Sequence, residues 1–307
     1  MRIVRHAKPG GPPTAIAIGS FDGVHRGHAA ILERLRACAA ERGLAPAVLT
    51  FEPLPRELLA PQSAPPRLTS LGERLAEFAR HGIAIAFVER FDRRFASLDA
   101  EAFARRLAHE YGARFVLVGE DFRYGARRAG DAQSLRRSGA ALGFEVQTLP
   151  AVAEAGARIS STRVREALAR ADFGEAARLL GRPYAIRGRV VHGTKRGRGL
   201  GFPTANVRLS RPRSALSGIF AVRCHGVATR GLEGVASLGI NPAVRQGGPA
   251  TLEAFLFDFS GDLYGRRISI EFLKKLRDEA HFASLEALAA QIGRDCEDAR
   301  AFFRAAR

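Results

Sequence analysis

Gly19-Ser20-Phe21-Asp22-Gly23-Val24-His25-Arg26-Gly27-His28 follows a short apolar run and opens an amphipathic one. Ala15 to Gly19 has the apolar character of a buried strand, and from Ala29 the residues Ile31, Leu32, Leu35 and Cys38 recur at helical spacing until Gly43 stops them. The stretch predicts strand, loop and helix in succession, with His25 and His28 at the helix N-terminus. Unpaired backbone N–H groups and the positive end of the helix dipole favour an anion there, and the glycines let a phosphate approach the main chain. Three residues apart, both imidazoles can reach one phosphate. A bare His-x-Gly-His also fits two satisfied surface histidines; the strand before it and the helix after it favour the phosphate reading.

Apolar and amphipathic segments alternate through the first half. Ala45 to Phe51, Ile83 to Val88, Phe115 to Val118 and Phe144 to Leu149 read as strands. Between them, Ser70 and Glu73 form a capping box ahead of Leu75 and Phe78, and Asp99 precedes Phe103 and Leu107 in a helix that Gly112 ends. Repeated strand-helix units imply a parallel sheet with helices on both faces, whose ligands bind beyond the strand C-termini. Gly19 marks such an end.

After Ile159 the pattern changes. Ser161 to Ala169 and Asp172 to Leu180 predict two helices; from Tyr184 short strands broken by Gly and Pro suggest a small antiparallel barrel. Ser284 to Gln291 and Asp295 to Ala306 predict two terminal helices packed on that barrel. The boundary falls near Gly181, giving domains 1–181 and 182–307, and a chain of 307 residues with 46% hydrophobic composition can fill two cores.

Composition narrows the class. The three cysteines, Cys38, Cys224 and Cys296, are odd in number and widely spaced, with no Cys-x-x-Cys pair for zinc or redox chemistry, which suits a reducing cytoplasm. Met1 to Pro13 lacks the apolar centre of a signal peptide and no run is long enough to span a bilayer, so the expectation is a soluble protein, not exported and not membrane-bound. A net charge of +17 raises nucleic-acid binding. The arginines, however, are spread along the whole chain in short clusters such as Arg127-Arg128 and Arg136-Arg137, without a nucleic-acid module; a usage bias of the source is the plainer reading, and what remains is compatible with polyanionic small substrates.

A second stretch carries chemistry: His192-Gly193-Thr194-Lys195-Arg196-Gly197-Arg198-Gly199-Leu200-Gly201-Phe202-Pro203-Thr204-Ala205-Asn206. Four glycines around basic side chains make a loop able to wrap phosphates with backbone N–H groups, and Thr204 and Asn206 offer neutral oxygens suited to magnesium once nucleotide phosphates supply the charge. A Gly-rich hairpin ended by a proline turn is the plainer alternative. The spacing is not that of a Walker loop.

The first stretch, His-x-Gly-His after Gly-x-Phe-Asp-Gly, resembles nucleotidyltransferases. With the second stretch in this order, the whole chain resembles the bifunctional bacterial riboflavin kinase/FMN adenylyltransferases, or FAD synthetases. Phe51-Glu52-Pro53, Gly119-Glu120-Asp121-Phe122-Arg123-Tyr124-Gly125 and Ile159-Ser160-Ser161-Thr162-Arg163-Val164-Arg165 agree with it in the first half. In the second half, Gly181-Arg182-Pro183-Tyr184, Asp258-Phe259-Ser260-Gly261-Asp262-Leu263-Tyr264-Gly265 and Leu276-Arg277-Asp278-Glu279 do so.

The resemblance implies an α/β chain: a Rossmann-like nucleotidyltransferase domain with a parallel sheet, then a small antiparallel β-barrel kinase domain with terminal helices. It implies that ATP phosphorylates riboflavin to FMN in the barrel, and that AMP from a second ATP is joined to FMN, giving FAD and pyrophosphate. Glu253 is the implied base for the kinase, on a strand whose alternation puts it on one face with Phe255 and Phe257. Thr204 and Asn206 would hold Mg2+, the loop bearing Gly193, Gly197, Arg198, Gly199 and Gly201 would close over the nucleotide, and Arg277 would belong to the flavin pocket. For adenylyl transfer, His25 and His28 would act on the ATP phosphates above Gly19, Ser20, Phe21, Asp22 and Gly23. Ser161, Thr162 and Arg165 would assist, with Asp121 and Phe122 lining the nucleotide or flavin site. Taken alone, Ser161-Thr162 reads as a helix N-cap.

Three positions depart from the family's common pattern: Ser20 in place of Asn, Leu54 in place of His, and Phe255 in place of His. Ser20 and Leu54 keep open a kinase with an impaired adenylyltransferase domain, and the basic charge keeps open a non-catalytic flavin- or nucleic-acid-binding module. A monomer or weak homo-oligomer is expected.

Overall fold

The computed structural model describes residues 1–193, 201–211, 213–240 and 250–306. Its contacts divide the chain into two compact units, Met1–Pro65 with Leu71–Ser160, and Pro66–Ser70 with Ser161–Arg307.

The first unit runs β1 (Arg2–Val4), β2 (Thr14–Ile18), α1 (Arg26–Glu41), β3 (Ala45–Glu52), α2 (Pro55–Leu59), α3 (Leu71–Arg80), β4 (Ile85–Arg90), α4 (Arg93–Ala96), α5 (Ala100–His109) and β5 (Ala113–Gly119). It continues with β6 (Arg123–Tyr124), β7 (Gly130–Asp131), α6 (Ala132–Leu142), β8 (Glu145–Leu149), β9 (Ala153–Glu154) and β10 (Ala157–Arg158). Six strands form one sheet in the order β1-β4-β3-β2-β5-β8, with every pairing parallel. Alternation along β2 sorts its side chains between two cores. Ala15 and Ala17 meet Leu32, Leu35 and Cys38 of α1 and Phe78 of α3, while Ile16 and Ile18 meet Phe103 and Leu107 of α5 and Leu135 of α6. Each leucine, isoleucine and phenylalanine among them, taken fully out of water, contributes on the order of 1.5–3 kcal/mol. Because β3 and β4 extend the sheet from β2 one way and β5 and β8 the other, the strand order reverses between β2 and β5. A crevice opens there at the strand C-termini.

The second unit starts with α7 (Ser161–Ala169) and α8 (Phe173–Leu180), followed by β11 (Ala185–Val191), β12 (Ala205–Arg208), β13 (Gly218–His225), β14 (Leu232–Ile240), β15 (Ala250–Leu256) and β16 (Arg267–Arg277). These strands close into an antiparallel barrel in the order β11-β12-β15-β14-β13-β16. One face of the alternation is dry: Phe220, Val222, Leu238, Leu252, Ala254, Ile270 and Phe272 are all buried. Phe173 of α8 packs edge-on to Phe220 and stacks on Phe272, so this helix belongs with the barrel core.

The two terminal helices expected from the sequence are one, α9 (Leu285–Ala305). Ser284 caps it through Oγ, which accepts from the Ala287 N–H at 3.1 Å. Gly293 costs a helix about 1 kcal/mol relative to alanine. That is outweighed because Ile292, Cys296, Ala299 and Phe303 continue one apolar face against Ile219, Ala221 and Val235 of the barrel. Asp295, read as a fresh helix start, instead faces Arg277: the carboxylate takes the guanidinium through Nε and Nη2, both at 2.7 Å, and also accepts from Gln291 at 2.9 Å.

Candidate active sites

The loop after β2 is packed, not loose. Phe21, Asp22, Val24 and His25 are all buried. Phe21 and Val24 hold positive φ angles of 51° and 40°, and Gly23 one of 87°. For a β-branched residue such as Val24 that is an outlier, of the kind that persists only where the surroundings enforce it. The turn closes by a Val24 N–H bond to the Phe21 carbonyl at 3.1 Å.

This turn delivers His25 to the N-cap of α1, where its Nδ1 accepts from the His28 backbone N–H at 3.3 Å. The helix starts at Arg26, a turn before the apolar pattern becomes visible. The two imidazoles stack with centroids 3.7 Å apart and planes inclined by 16°, and Phe21 lies against the His28 ring at 5.1 Å. A Cβ at position 27 would stand 3.2 Å from the His25 ring, so Gly27 makes room for that stack.

Burial first, then the charges of His25 and Arg158, hold the His28 imidazole well below its ordinary 6.5. Its Nδ1 is buried without a hydrogen-bond partner, which places the proton of the neutral ring on Nε2 and orphans only a lone pair. His28 is thus a neutral N–H donor at pH 7. Its depressed folded value sets the sign of a linkage. The favourable contribution is complete above 6.5, and is lost as acid carries the pH down through the folded value, because the unfolded chain takes up the proton first. In a histidine-ring NMR titration, His28 is expected to remain neutral at about pH 6, where a free imidazole is already mostly charged.

Arg158, on the β9–β10 hairpin, is a residue without a motif of its own in the sequence. It binds Asp121 at 2.8 Å and lowers that carboxyl's pKa, and the same hairpin reaches the start of α1 through Glu154 and Arg26, 3.1 Å apart. Its only signal in the chain was its place beside the Ile159-Ser160-Ser161-Thr162 segment.

Beside this cluster, at the strand-order reversal, lies a cleft of about 1230 Å³. Gly19 and Ser20 border it from β2, and Asp121 and Phe122 from β5. Phe51, Phe91, Phe95, Phe103 and Tyr124 give it aromatic walls, and Arg56, Arg93, Arg127 and Arg128 line it with cations. Leu54 is not among the lining residues: it is buried and opens α2, its N–H donating to Glu57 at 2.9 Å. Ser161 and Thr162 begin α7, and Arg165 donates through Nε to the Pro66 carbonyl at 2.7 Å.

In the barrel unit, Glu253 of β15 lies opposite Asn206 of β12 on one side and Ser237 of β14 on the other. Its Oε2 accepts from the Thr204 hydroxyl at 3.2 Å. Gly193 completes the cluster, since any Cβ there would overlap the Asn206 amide. The alternation holds as expected: Leu252, Ala254 and Leu256 face inward, and Glu253 and Phe255 lie half-buried on the other face. Phe255 packs edge-on against Phe202 and Phe257 within the apolar cluster that seats α9, which gives this departure a packing role.

Thr204 also borders a second cleft of about 670 Å³, walled by Ala205, Ala254, Leu256, Asp262 and Tyr264. Gly201 is described, with a positive φ of 85°. Gly197, Arg198 and Gly199 lie outside the described residues. Arg277, assigned by resemblance to the flavin pocket, is engaged by Asp295 as above. Among the described residues no cluster of three or more His, Cys, Asp or Glu forms a ready-made metal site. The donor set of hydroxyl, amide and one carboxylate suits a hard cation that brings phosphate oxygens with it.

The fold is a parallel α/β unit with a crevice at its strand-order reversal, followed by a closed antiparallel barrel. The FAD synthetase family model matches residues 8–163, and the riboflavin kinase model residues 180–303. Relatives named bifunctional riboflavin kinase/FMN adenylyltransferase include that of Escherichia coli K12, 47% identical over 94% of this chain and 92% of its own. That of Pseudomonas fluorescens is 45% identical over 98% and 97%. A solved structure described as a macrolide-efflux protein from Streptococcus pneumoniae superposes with a TM-score of 0.77 at 30% identity, covering 98% of this chain and 99% of that one. Among the described residues no helix is long and apolar enough to cross a membrane. The chain belongs to the bifunctional riboflavin kinase/FMN adenylyltransferase family. It phosphorylates riboflavin to FMN with ATP, and adenylylates FMN to FAD.

Proposed function

We propose that residues 1–181 carry the adenylyl transfer and 182–307 the riboflavin phosphorylation, each with its own catalytic residues. What supports this division is that a polar cluster lies beside a cleft in each part of the chain: the stacked histidines in the first, and Glu253 with Thr204 and Asn206 in the second.

In the first reaction the ribityl hydroxyl of riboflavin attacks the terminal phosphorus of ATP, and its proton passes to Glu253 as the bond to ADP breaks. Thr204 and Asn206 would hold Mg2+, which when bound neutralises charge on the nucleotide phosphates. By resemblance, Gly193, Gly197, Arg198, Gly199 and Gly201 would contribute to binding those phosphates. Arg277 orders the flavin side through its bond to the terminal helix.

In the second reaction an oxygen of the FMN phosphate, already ionised, attacks the α-phosphorus of ATP, and the electron pair of the broken bond leaves on pyrophosphate. No proton need be removed. Catalysis rests on positioning and on stabilising the developing charge. His25 and His28 supply N–H donors, backed by the α1 N-terminus and the turn of Gly19, Ser20, Phe21, Asp22 and Gly23. By resemblance, Ser161, Thr162 and Arg165 would offer hydroxyls and a guanidinium fork to a triphosphate. The aromatic cleft walls suit the isoalloxazine, with Asp121 and Phe122 at its edge, and the lining arginines suit its phosphate. The setting is cytoplasmic, the partners are small molecules only, and the chain is a monomer or weak homo-oligomer.

The test is a time course with riboflavin, ATP and magnesium, the flavins separated by chromatography. FMN is expected first, then FAD at its expense. FMN that accumulates with no FAD, even when FMN is supplied directly, would overturn the second half of the assignment.

A further inference from the structure

We infer that Arg74, outside every set of residues named above, is a positioning residue for adenylyl transfer. It lies on α3 with no solvent exposure. Its Nη1 donates to the Ser20 carbonyl and to Thr50 Oγ1, both at 2.9 Å; Nη1 and Nη2 each reach the Phe51 carbonyl at 3.3 Å, and Nη2 meets Glu52 Oε2 at 2.6 Å. One guanidinium therefore ties together the carboxyl ends of β2 and β3, directly behind the loop that delivers the histidines.

A core does not need an arginine for stability, because well-packed apolar side chains serve as well or better than a buried ion pair. The planar fork with five donors supplies geometry instead. The backbone it holds is the strained one. Strained φ values persist where contacts over-determine them, and Phe21 and Val24 stand one and four residues beyond the Ser20 carbonyl that Arg74 grips. A second contact from the same helix agrees: Phe78, one turn beyond Arg74, packs edge-on to Phe21 at 5.3 Å, and Phe21 in turn lies against His28. Helix α3 thus holds the loop through a polar and an aromatic grip, and both lead to the His25–His28 stack. With the loop held by its main chain, the serine at position 20 is accommodated without an amide side chain.

The inference rests on the reading that this stack performs adenylyl transfer. Its test uses full-length Arg74→Met and Arg74→Lys, assayed for FAD formation from FMN and ATP. The kinase rate of the same preparation serves as internal control, and protease resistance of the first unit reports its fold. A loop shifted by about 1 Å can cost on the order of 10²-fold. The expected result is a folded Arg74→Met protein with FAD kcat down about 30- to 100-fold, KM for FMN and ATP within about threefold, and an unchanged kinase rate. Arg74→Lys is expected to recover only part of the loss. If either variant is folded with a FAD kcat within about threefold of wild type, the inference is overturned. It is equally overturned if both lose the folded first unit, which would make Arg74 a stability residue. His28→Ala run in parallel separates the two readings, since FAD formation that survives it refutes the site assignment whatever Arg74 does.

Discussion

Replacing Glu253 by glutamine is expected to lower riboflavin phosphorylation by about 10²- to 10⁴-fold, the range that a positioned general base supplies. FAD formation from supplied FMN is expected to stay at the wild-type rate. Glutamine keeps the side chain's shape and an oxygen that can still accept from Thr204, so the barrel loses no packing and the cross-strand contact with Asn206 and Ser237 remains. What disappears is the carboxylate. A steady-state assay that measures ADP release with riboflavin, beside FAD release with FMN, separates loss of the base from loss of the protein.

The second large effect falls on the other reaction. His28→Ala is expected to reduce FAD formation by about 10²- to 10³-fold, the usual cost of removing a donor aimed at developing charge, with riboflavin phosphorylation intact. Because the His28 ring also stacks on His25 and lies against Phe21, alanine leaves a gap that lets His25 move. His28→Phe controls for this: it restores an aromatic face without an N–H. Both variants should fall by similar amounts, measured as FAD kcat at saturating FMN and ATP. Recovery of most of the rate by phenylalanine would assign the ring to packing alone.

Much of this architecture was readable from residue spacing. The alternation of apolar strands with amphipathic helices placed β2, β3, β4, β5 and β8, and the Gly- and Pro-broken second half announced a barrel, because in both cases burial is periodic. Elements that bury little escaped. β1 has only one half-buried residue among exposed ones, and β9 and β10 are almost wholly exposed, so neither carries a hydrophobic pattern. The expected helices 284–291 and 295–306 are one because the face shared by Ile292, Cys296 and Ala299 is set by the barrel beneath, not by local spacing.

The sites divide in the same way. The residue types of the His-x-Gly-His turn and of the Thr204, Asn206 and Glu253 set were visible in the chain, yet their contacts depended on strand register. Glu253 meets Asn206 only because β12 pairs with β15. Arg158 and Arg74 were invisible for a different reason. Arginine is ordinarily a surface residue, and nothing in its neighbours along the chain marks one that is wholly buried behind a loop, or one that a hairpin carries to Asp121.

One chain carries two reactions in sites that can be separated by mutation. The direct measurement mixes Glu253→Gln and His28→Ala proteins in one tube with riboflavin, ATP and magnesium. Neither variant alone should convert riboflavin to FAD; together they should, because FMN made by His28→Ala becomes substrate for Glu253→Gln. A mixture that makes FMN but no FAD, or a single variant that completes both steps at the wild-type rate, would contradict it.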